Sequence, residues 1–351
     1  MNICIRADAS TAIGSGHVMR CLTLAAELRS RGGNILFLCR DLFGSLANHI
    51  QREGFKISLL PEQQDRFDWQ IDCNAVIQTI IERRMDIGWI IVDSYLLDWR
   101  WETALRPFCK KIMVIDDLAN RRHECDVLLD QNYYLDKSTR YVNLLPSGCT
   151  ALLGPQYALL RTEFIEARYS LQPKALSVKR ILVFFGGSDP TNETMKALQA
   201  IESVDLSGIT IDVVVGTSNC NQDVIRKMCQ GMTSYNFHYQ VDNMAELMAK
   251  ADLAIGAGGS ASWERCYLGL PTIGIIIADN QEQLVSDLAA FGAMINLGRN
   301  NRVDTVILAK AINQLVHDYW LRQSLSHKCF ELMAGYRGSG AITALMGDSD
   351  V

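Results

Sequence analysis

Apolar residues fall along this chain in short blocks separated by longer segments of helical spacing. Runs rich in β-formers at 3–6, 35–39, 56–60, 88–93, 111–115 and 127–129 read as strands, with helical stretches between several of them, notably 17–31 and 73–85. Strands buried on both faces read as nearly continuous apolar runs, so this pattern predicts a parallel sheet covered by helices on both sides. A second series opens at 180–185, continues into Gly186-Gly187-Ser188-Asp189-Pro190, and offers Thr191 as the cap of a helix running towards Ile201. Further strands are expected at 210–215, 236–240, 252–255 and 272–277. Residues 157–178 read as one helix followed by a polar linker around Gln172, Pro173 and Lys174, which divides the chain into domains 1–165 and 166–351. Two such α/β domains leave a cleft walled by the carboxyl edges of both sheets. A single large domain is the alternative, and the repeated opening strand argues against it.

The first strand is followed by Gly14-Ser15-Gly16-His17, which opens the first helix. This puts an imidazole at a sheet's carboxyl edge, where open α/β folds bind ligands. The positive end of the helix disfavours imidazolium there, so a neutral ring able to accept a proton is expected. The bland alternative is a helix-start histidine that hydrogen-bonds its own loop. A dinucleotide fingerprint needs a small residue where Met19 stands, and the Gly-Lys-Ser/Thr of a P-loop is absent. Asp41, after the second strand, keeps a nicotinamide enzyme as a competitor.

Asp8, Asp93-Ser94-Tyr95 and Asp116-Asp117 close three strands of the first half around His17. One of these acids can orient the histidine or bind substrate, although each can equally cap a turn. In the second half, Ala257-Gly258-Gly259-Ser260-Ala261 precedes a helix. Its free amides suit a phosphate, and Glu264 suits ribose hydroxyls. The competing reading is a plain strand–helix turn. Asn280 and Gln281 follow the next strand and can bind phosphate or sugar hydroxyls, while Asp279 or Asn280 can also cap the helix that follows. The segment 123–126, with His123, Glu124 and Asp126, lacks the paired histidines of a zinc helix, so no metal site is expected.

Composition narrows the class. The 351 residues are 48% hydrophobic and 21% charged with a formal net charge of −5, which makes no case for nucleic acid or an anionic membrane. Eleven cysteines without a Cys-x-x-Cys pair, and an N-terminus whose apolar run is broken at Arg6 and Asp8, point to a reducing cytoplasm. The apolar stretch 268–278 is too short to cross a bilayer and contains Gly and Pro, so no membrane insertion is expected.

Taken together, the segments 6–10, 14–20, 92–95, 116–117 with 123–126, 130–132, 154–164, 185–190, 258–264 and 268–271 resemble a known family. It is that of the UDP-sugar hydrolases of pseudaminic acid biosynthesis, with the related spore-coat polysaccharide proteins. The glycine loops also look like those of the glycosyltransferase that makes lipid II. The resemblance implies the GT-B fold, two Rossmann-like domains facing a cleft, with UDP held mainly by the C-terminal one. It implies release of UDP from UDP-2,4-diacetamido-2,4,6-trideoxy-β-L-altropyranose by water, with inversion. His17 is then the base, and Asp8, Gly14, Gly16, Arg20, Asp93, Tyr95, Tyr157 and Arg161 are the residues expected around the sugar. Gly187, Gly258, Gly259, Ser260, Glu264, Asn280 and Gln281 are expected around UDP. Ser94 stands where some relatives carry histidine. UDP is a good leaving group, so backbone amides suffice without metal or cofactor. The expected partner is the small UDP-sugar; the oligomeric state is not read from the sequence, and a monomer is compatible with it. A GT-B transferase moving the sugar to a lipid or glycan acceptor is the alternative.

Overall fold

The computed structural model describes residues 1–63, 66–338 and 340–347. The chain forms two compact units: Met1–Leu159 joined by the segment from Tyr336 onward, and Leu160–Gly335.

The first unit is built on β1 (Asn2–Ala7), β2 (Asn34–Arg40), β3 (Lys56–Leu60), β4 (Ile87–Asp93), β5 (Cys109–Ile115), β6 (Val127–Asp130) and β7 (Thr150–Leu153). They lie in the order β3-β2-β1-β4-β5-β6-β7, every neighbouring pair parallel. Side chains of a strand alternate between faces. Ile3, Ile5 and Ala7 therefore enter one core with Val18, Leu24 and Leu28 of the helix Gly16–Ser30. Cys4 enters the other, with Leu38, Ile90, Val92 and Trp101. Arg6 points to that second side and is fully buried. Asp8 at 2.6 Å and Asp72 at 2.6 Å balance its charge, and the Trp101 indole N–H donates to Asp72 at 3.0 Å.

The second unit repeats the plan with β8 (Arg180–Phe184), β9 (Thr210–Val215), β10 (Tyr235–Tyr239), β11 (Leu253–Ala257), β12 (Thr272–Ile276) and β13 (Ile295–Arg299). The order β10-β9-β8-β11-β12-β13 is again wholly parallel. Ile181, Val183, Ile211, Val213, Ile255 and Ile273 share one core with Ala197, Leu198 and Ile312 from two helices. Both sheets thus have the strand order of a doubly wound nucleotide fold, in which ligands bind where the order reverses. Those points lie between β1 and β4 in one unit, and between β8 and β11 in the other.

Three expectations need correction. The division falls before Leu160 rather than after 165, and the C-terminal segment does not belong to the second unit. Ala341 and Leu345 are buried in the first core, and the Arg337 N–H donates to the Gln156 carbonyl at 2.8 Å. Of 157–178 only Thr162–Tyr169 is α-helical, with Pro155–Tyr157 forming a separate 3₁₀ turn. Asp189, not Thr191, caps the helix Glu193–Glu202, its two oxygens accepting from the N–H groups of Glu193 (2.8 Å) and Thr194 (2.9 Å). Asn192 takes a left-handed conformation at φ +58°, which brings Asp189 into capping reach.

Candidate active site

At the reversal point of the first unit, β1 runs into a tight turn before its helix. The Gly14 N–H donates to the Ser10 carbonyl at 2.8 Å, and φ of +82° requires glycine there. Gly16 begins the helix, so His17 and Arg20, three apart, share one face. His17 Nδ1 lies 2.5 Å from Oδ1 of Asp93, the last residue of β4, which is fully buried. Arg20 clasps the same carboxylate, Nε to Oδ2 at 2.6 Å and Nη2 to Oδ1 at 2.7 Å. Burial pushes the Asp93 carboxyl up, but the Arg20 guanidinium and the His17 ring outweigh it and hold it well below the usual carboxylate range. An ionised Asp93 only accepts, so His17 carries its proton on Nδ1 and presents the Nε2 lone pair. Among the described residues no group bonds Nε2, and the side chain keeps 10% exposure.

Tyr95 stands edge-on to the imidazole, ring centres 4.6 Å apart at 80°, and its hydroxyl donates to Asp117 Oδ1 at 2.6 Å. Arg20 Nη1 donates to Asp117 Oδ2 at 3.0 Å, bridging the two acids. Loops after β1, β4 and β5 therefore converge on one histidine. Asp130, ending β6, accepts from the Asn132 N–H and the Tyr141 hydroxyl, each at 3.0 Å. Burial, and then the charge of Asp117, push its carboxyl up to about 7.

Not every expected residue joins this cluster. All four acceptor positions of Asp8 are filled, by two Arg6 nitrogens and by the backbone N–H and Nε of Arg40 at 2.6–2.9 Å. Asp8 is a closed structural acid with nothing left for a substrate. Tyr157 packs against the C-terminal segment, where a Cβ on Gly340 would come within 2.7 Å of its ring. Arg161 falls in the second unit and pairs with Glu264 Oε1 at 3.0 Å and with Glu163 at 2.7 Å. His123 is fully buried and bonded to Glu102 at 2.7 Å. Among the described residues no group of three or more His, Cys, Asp or Glu is arranged to hold a metal ion.

In the second unit the loops after β8 and β11 flank the reversal point. Gly187 packs on Gly216 so closely that a Cβ on Gly216 would stand 2.5 Å from its backbone. A Cβ on Gly258 would come 1.9 Å from Val285 Cγ2, which explains the glycine. One on Gly259 would meet nothing nearer than Gln281 Nε2 at 4.0 Å, so that position is open to a ligand. Gln281 Oε1 accepts from the Ile277 N–H at 3.1 Å, which holds its amide beside Gly259. Asn280 precedes it in the 3₁₀ turn Asp279–Gln281, and Ser260 precedes the helix Ala261–Tyr267 without a side-chain cap bond. The glycine spacing marked this loop in the sequence. Arg265, buried behind it, carried no such mark.

Two doubly wound units with glycine loops at their reversal points define a nucleotide-binding type of architecture, and over the whole chain the fold is that of the GT-B glycosyltransferases. MurG of Acinetobacter baumannii superposes with a TM-score of 0.64 at 13% identity over 98% of each chain. The spinosyn rhamnosyltransferase SpnG, complexed with thymidine diphosphate, gives 0.64 at 13% identity over 98% of this chain and 99% of that one. Residues 181–328 match the glycosyltransferase family 28 C-terminal domain. In sequence the chain is 26% identical to the spore coat polysaccharide biosynthesis protein SpsG of Bacillus subtilis, over 99% of this chain and 98% of that protein. It is 26% identical to the UDP-2,4-diacetamido-2,4,6-trideoxy-β-L-altropyranose hydrolase of Campylobacter jejuni, over 83% and 97%. An uncharacterised protein of Methanocaldococcus jannaschii is 27% identical over 82% of this chain, which spans 58% of that protein's length. The resemblance read from the motifs is thus borne out by similarity to both kinds of relative.

Proposed function

We propose that this chain is an enzyme acting on a nucleotide sugar, and that it hydrolyses UDP-2,4-diacetamido-2,4,6-trideoxy-β-L-altropyranose to UDP and the free sugar with inversion. The observation that carries the reading is the His17–Asp93 pair, with Nδ1 committed to a buried carboxylate and Nε2 left unbonded. Nε2 takes a proton from water as its oxygen attacks the anomeric carbon. The bond from that carbon to the β-phosphate oxygen breaks, and its electron pair leaves with UDP. Asp93 stabilises the imidazolium, as the acid of a catalytic triad does. The reading assigns the sugar chemistry to the first unit, with Arg20 and Tyr95 beside the base. It assigns UDP to Gly187, Gly258, Gly259, Ser260, Asn280 and Gln281 of the second unit, and the ribose to Glu264. Glu264 is bonded by Arg161 through Oε1. The name of the Campylobacter relative supports this choice of substrate and reaction.

A second reading is favoured by the family 28 match and by the glycosyltransferases that share the fold: transfer of the sugar to an acceptor hydroxyl, deprotonated by the same His17. Nuclear magnetic resonance of the protein with the diacetamido substrate, and separately with UDP-N-acetylglucosamine, EDTA present, distinguishes them. Hydrolysis predicts UDP release from the first substrate with the opposite anomer formed initially. UDP binding without release from either moves transfer to the front. His17→Ala is expected to lower kcat roughly 10²–10⁴-fold, the usual worth of a positioned base. Near-normal turnover in that variant removes His17 from the mechanism.

A further inference from the structure

Arg265 follows Glu264 in the helix Ala261–Tyr267 and is only 2% exposed. Cys266, Tyr267 and Leu268 after it are buried, so the local pattern does not ask for a cation. Its guanidinium turns back towards the start of its own helix. Nη2 donates to the Ala257 carbonyl at 2.7 Å and to Ser262 Oγ at 3.1 Å, while Nε is buried with no partner. No carboxylate bonds it among the described residues. Arg6 and Arg20, equally deep, are each held by two acids. Arg322, also without an acid, spends its donors on the Leu315, Val316 and Leu176 carbonyls. Burying a charge that no acid compensates is costly, and folds rarely retain one without a use.

The position of this charge suggests the use. Ala257 ends β11, and its carbonyl belongs to the same peptide group as the Gly258 N–H. A cation bonded to a carbonyl oxygen polarises that peptide and strengthens its N–H as a donor. Gly256 leaves room for the guanidinium, since a Cβ there would stand 3.0 Å from Nη1 and 2.3 Å from the Phe184 carbonyl oxygen. Ser262, fully buried, accepts from the same Nη2 and so helps fix the guanidinium against the Ala257 carbonyl.

We propose that Arg265 is a positioning residue of the nucleotide site, the fixed positive charge that a diphosphate bound on the 258–260 loop compensates. The inference rests on the nucleotide-sugar reading. Arg265 holds the Ala257–Gly258 peptide in place and biases the loop towards dianionic ligands without touching them. It therefore acts on the diphosphate and not on the uridine.

The test is calorimetry of the full chain with UDP and UMP, and ligand-observed magnetic resonance with uridine, on wild type, Arg265→Gln and Arg265→Lys. Arg265→Gln is expected to weaken UDP about tenfold, the order that loss of one charge behind a diphosphate implies in protein, and UMP less. Uridine affinity should stay within about twofold on the same grounds, and Arg265→Lys should fall between. A folded Arg265→Gln whose UDP-to-uridine affinity ratio equals that of wild type overturns the proposal. If that variant does not fold, Arg265→Lys decides: a ratio lowered about threefold or more supports the assignment, and an unchanged ratio overturns it. Wild type that binds UDP no more tightly than uridine refutes the nucleotide reading itself, whatever the variants do.

Discussion

Asp93→Asn separates a catalytic pair from a merely buried one. In the wild type Oδ1 receives His17 Nδ1 at 2.5 Å and Arg20 Nη2 at 2.7 Å, while Oδ2 receives Arg20 Nε at 2.6 Å. An asparagine has one oxygen to offer. Keeping it on Arg20 Nε leaves the amide NH₂ facing His17 Nδ1, which must then accept, and the ring proton moves to Nε2. The lone pair that the proposed mechanism assigns to water's proton is lost, although the ring has not moved. Loss of a positioned base costs about 10²–10⁴-fold in kcat, and the equivalent change in a serine protease sits near 10⁴, or about 5.5 kcal/mol of barrier. Stability falls as well. Unpairing one side of a buried ion pair costs about 3–5 kcal/mol, reduced here because Arg20 keeps Asp117 at 3.0 Å. The assay is steady-state UDP release at a pH where both proteins are folded, with melting temperatures measured alongside. His17→Ala and the double variant complete a cycle, and residues working as one unit give a double variant no slower than the worse single. A folded Asp93→Asn with kcat within about threefold of wild type, or single effects that multiply in the double variant, would refute the pairing.

Two further outcomes follow from packing and titration. Asp130, at about 7 in the fold against about 3.9 in an unfolded chain, makes the folded state bind its proton more tightly, so its contribution to stability is lost as pH rises from about 4 to 7. Wild type should lose about 3 kcal/mol more than Asp130→Asn between pH 5 and 8 in urea denaturation, and equal losses would remove Asp130 from the pH dependence. Gly258→Ala drives a methyl into the stiff Val285 side chain and should cost about 1–3 kcal/mol together with UDP affinity, with Val285→Ala restoring much of both; a Gly258→Ala protein as stable as wild type would contradict the packing.

The sheet cores were legible because parallel strands must be apolar on both faces, and β1, β4, β8 and β11 are nearly unbroken runs. β7 and β13 escaped notice for a physical reason. Both are edge strands, four and five residues long, and β13 is only half buried, so neither carries the apolar signal of a central strand. The C-terminal segment was illegible because its place depends on where Ala341 and Leu345 find a core, which no local pattern states. Strand ends marked His17, Asp93 and Tyr95 correctly as neighbours. They also marked Asp8, because sequence shows that an acid ends a strand but not that Arg6 and Arg40 saturate it. The same limit explains Thr191: threonine and aspartate both cap helices, and only the left-handed turn at Asn192 selects Asp189.

The buried charges around Asp8 and around His17 set the two apart as places to seek chemistry. The buried network around Asp8 is closed: Asp8 and Asp72 carry two negative charges, Arg6 and Arg40 two positive ones, and Asp8 has no acceptor position left. The network around His17 is open. Counting only the side chains bonded to one another here, Asp93 and Asp117 share Arg20, which leaves one negative charge in excess while the imidazole is neutral. The Tyr95 hydroxyl offsets part of it by donating to Asp117, and a proton on His17 brings the cluster to neutrality. A general base must be stable in its protonated form at the moment of reaction, inside a site where stray charge is expensive. On the proposed mechanism the fold supplies the countercharge in advance and fixes it with a buried arginine fork, so that a proton taken up by Nε2 completes the cluster instead of disturbing it.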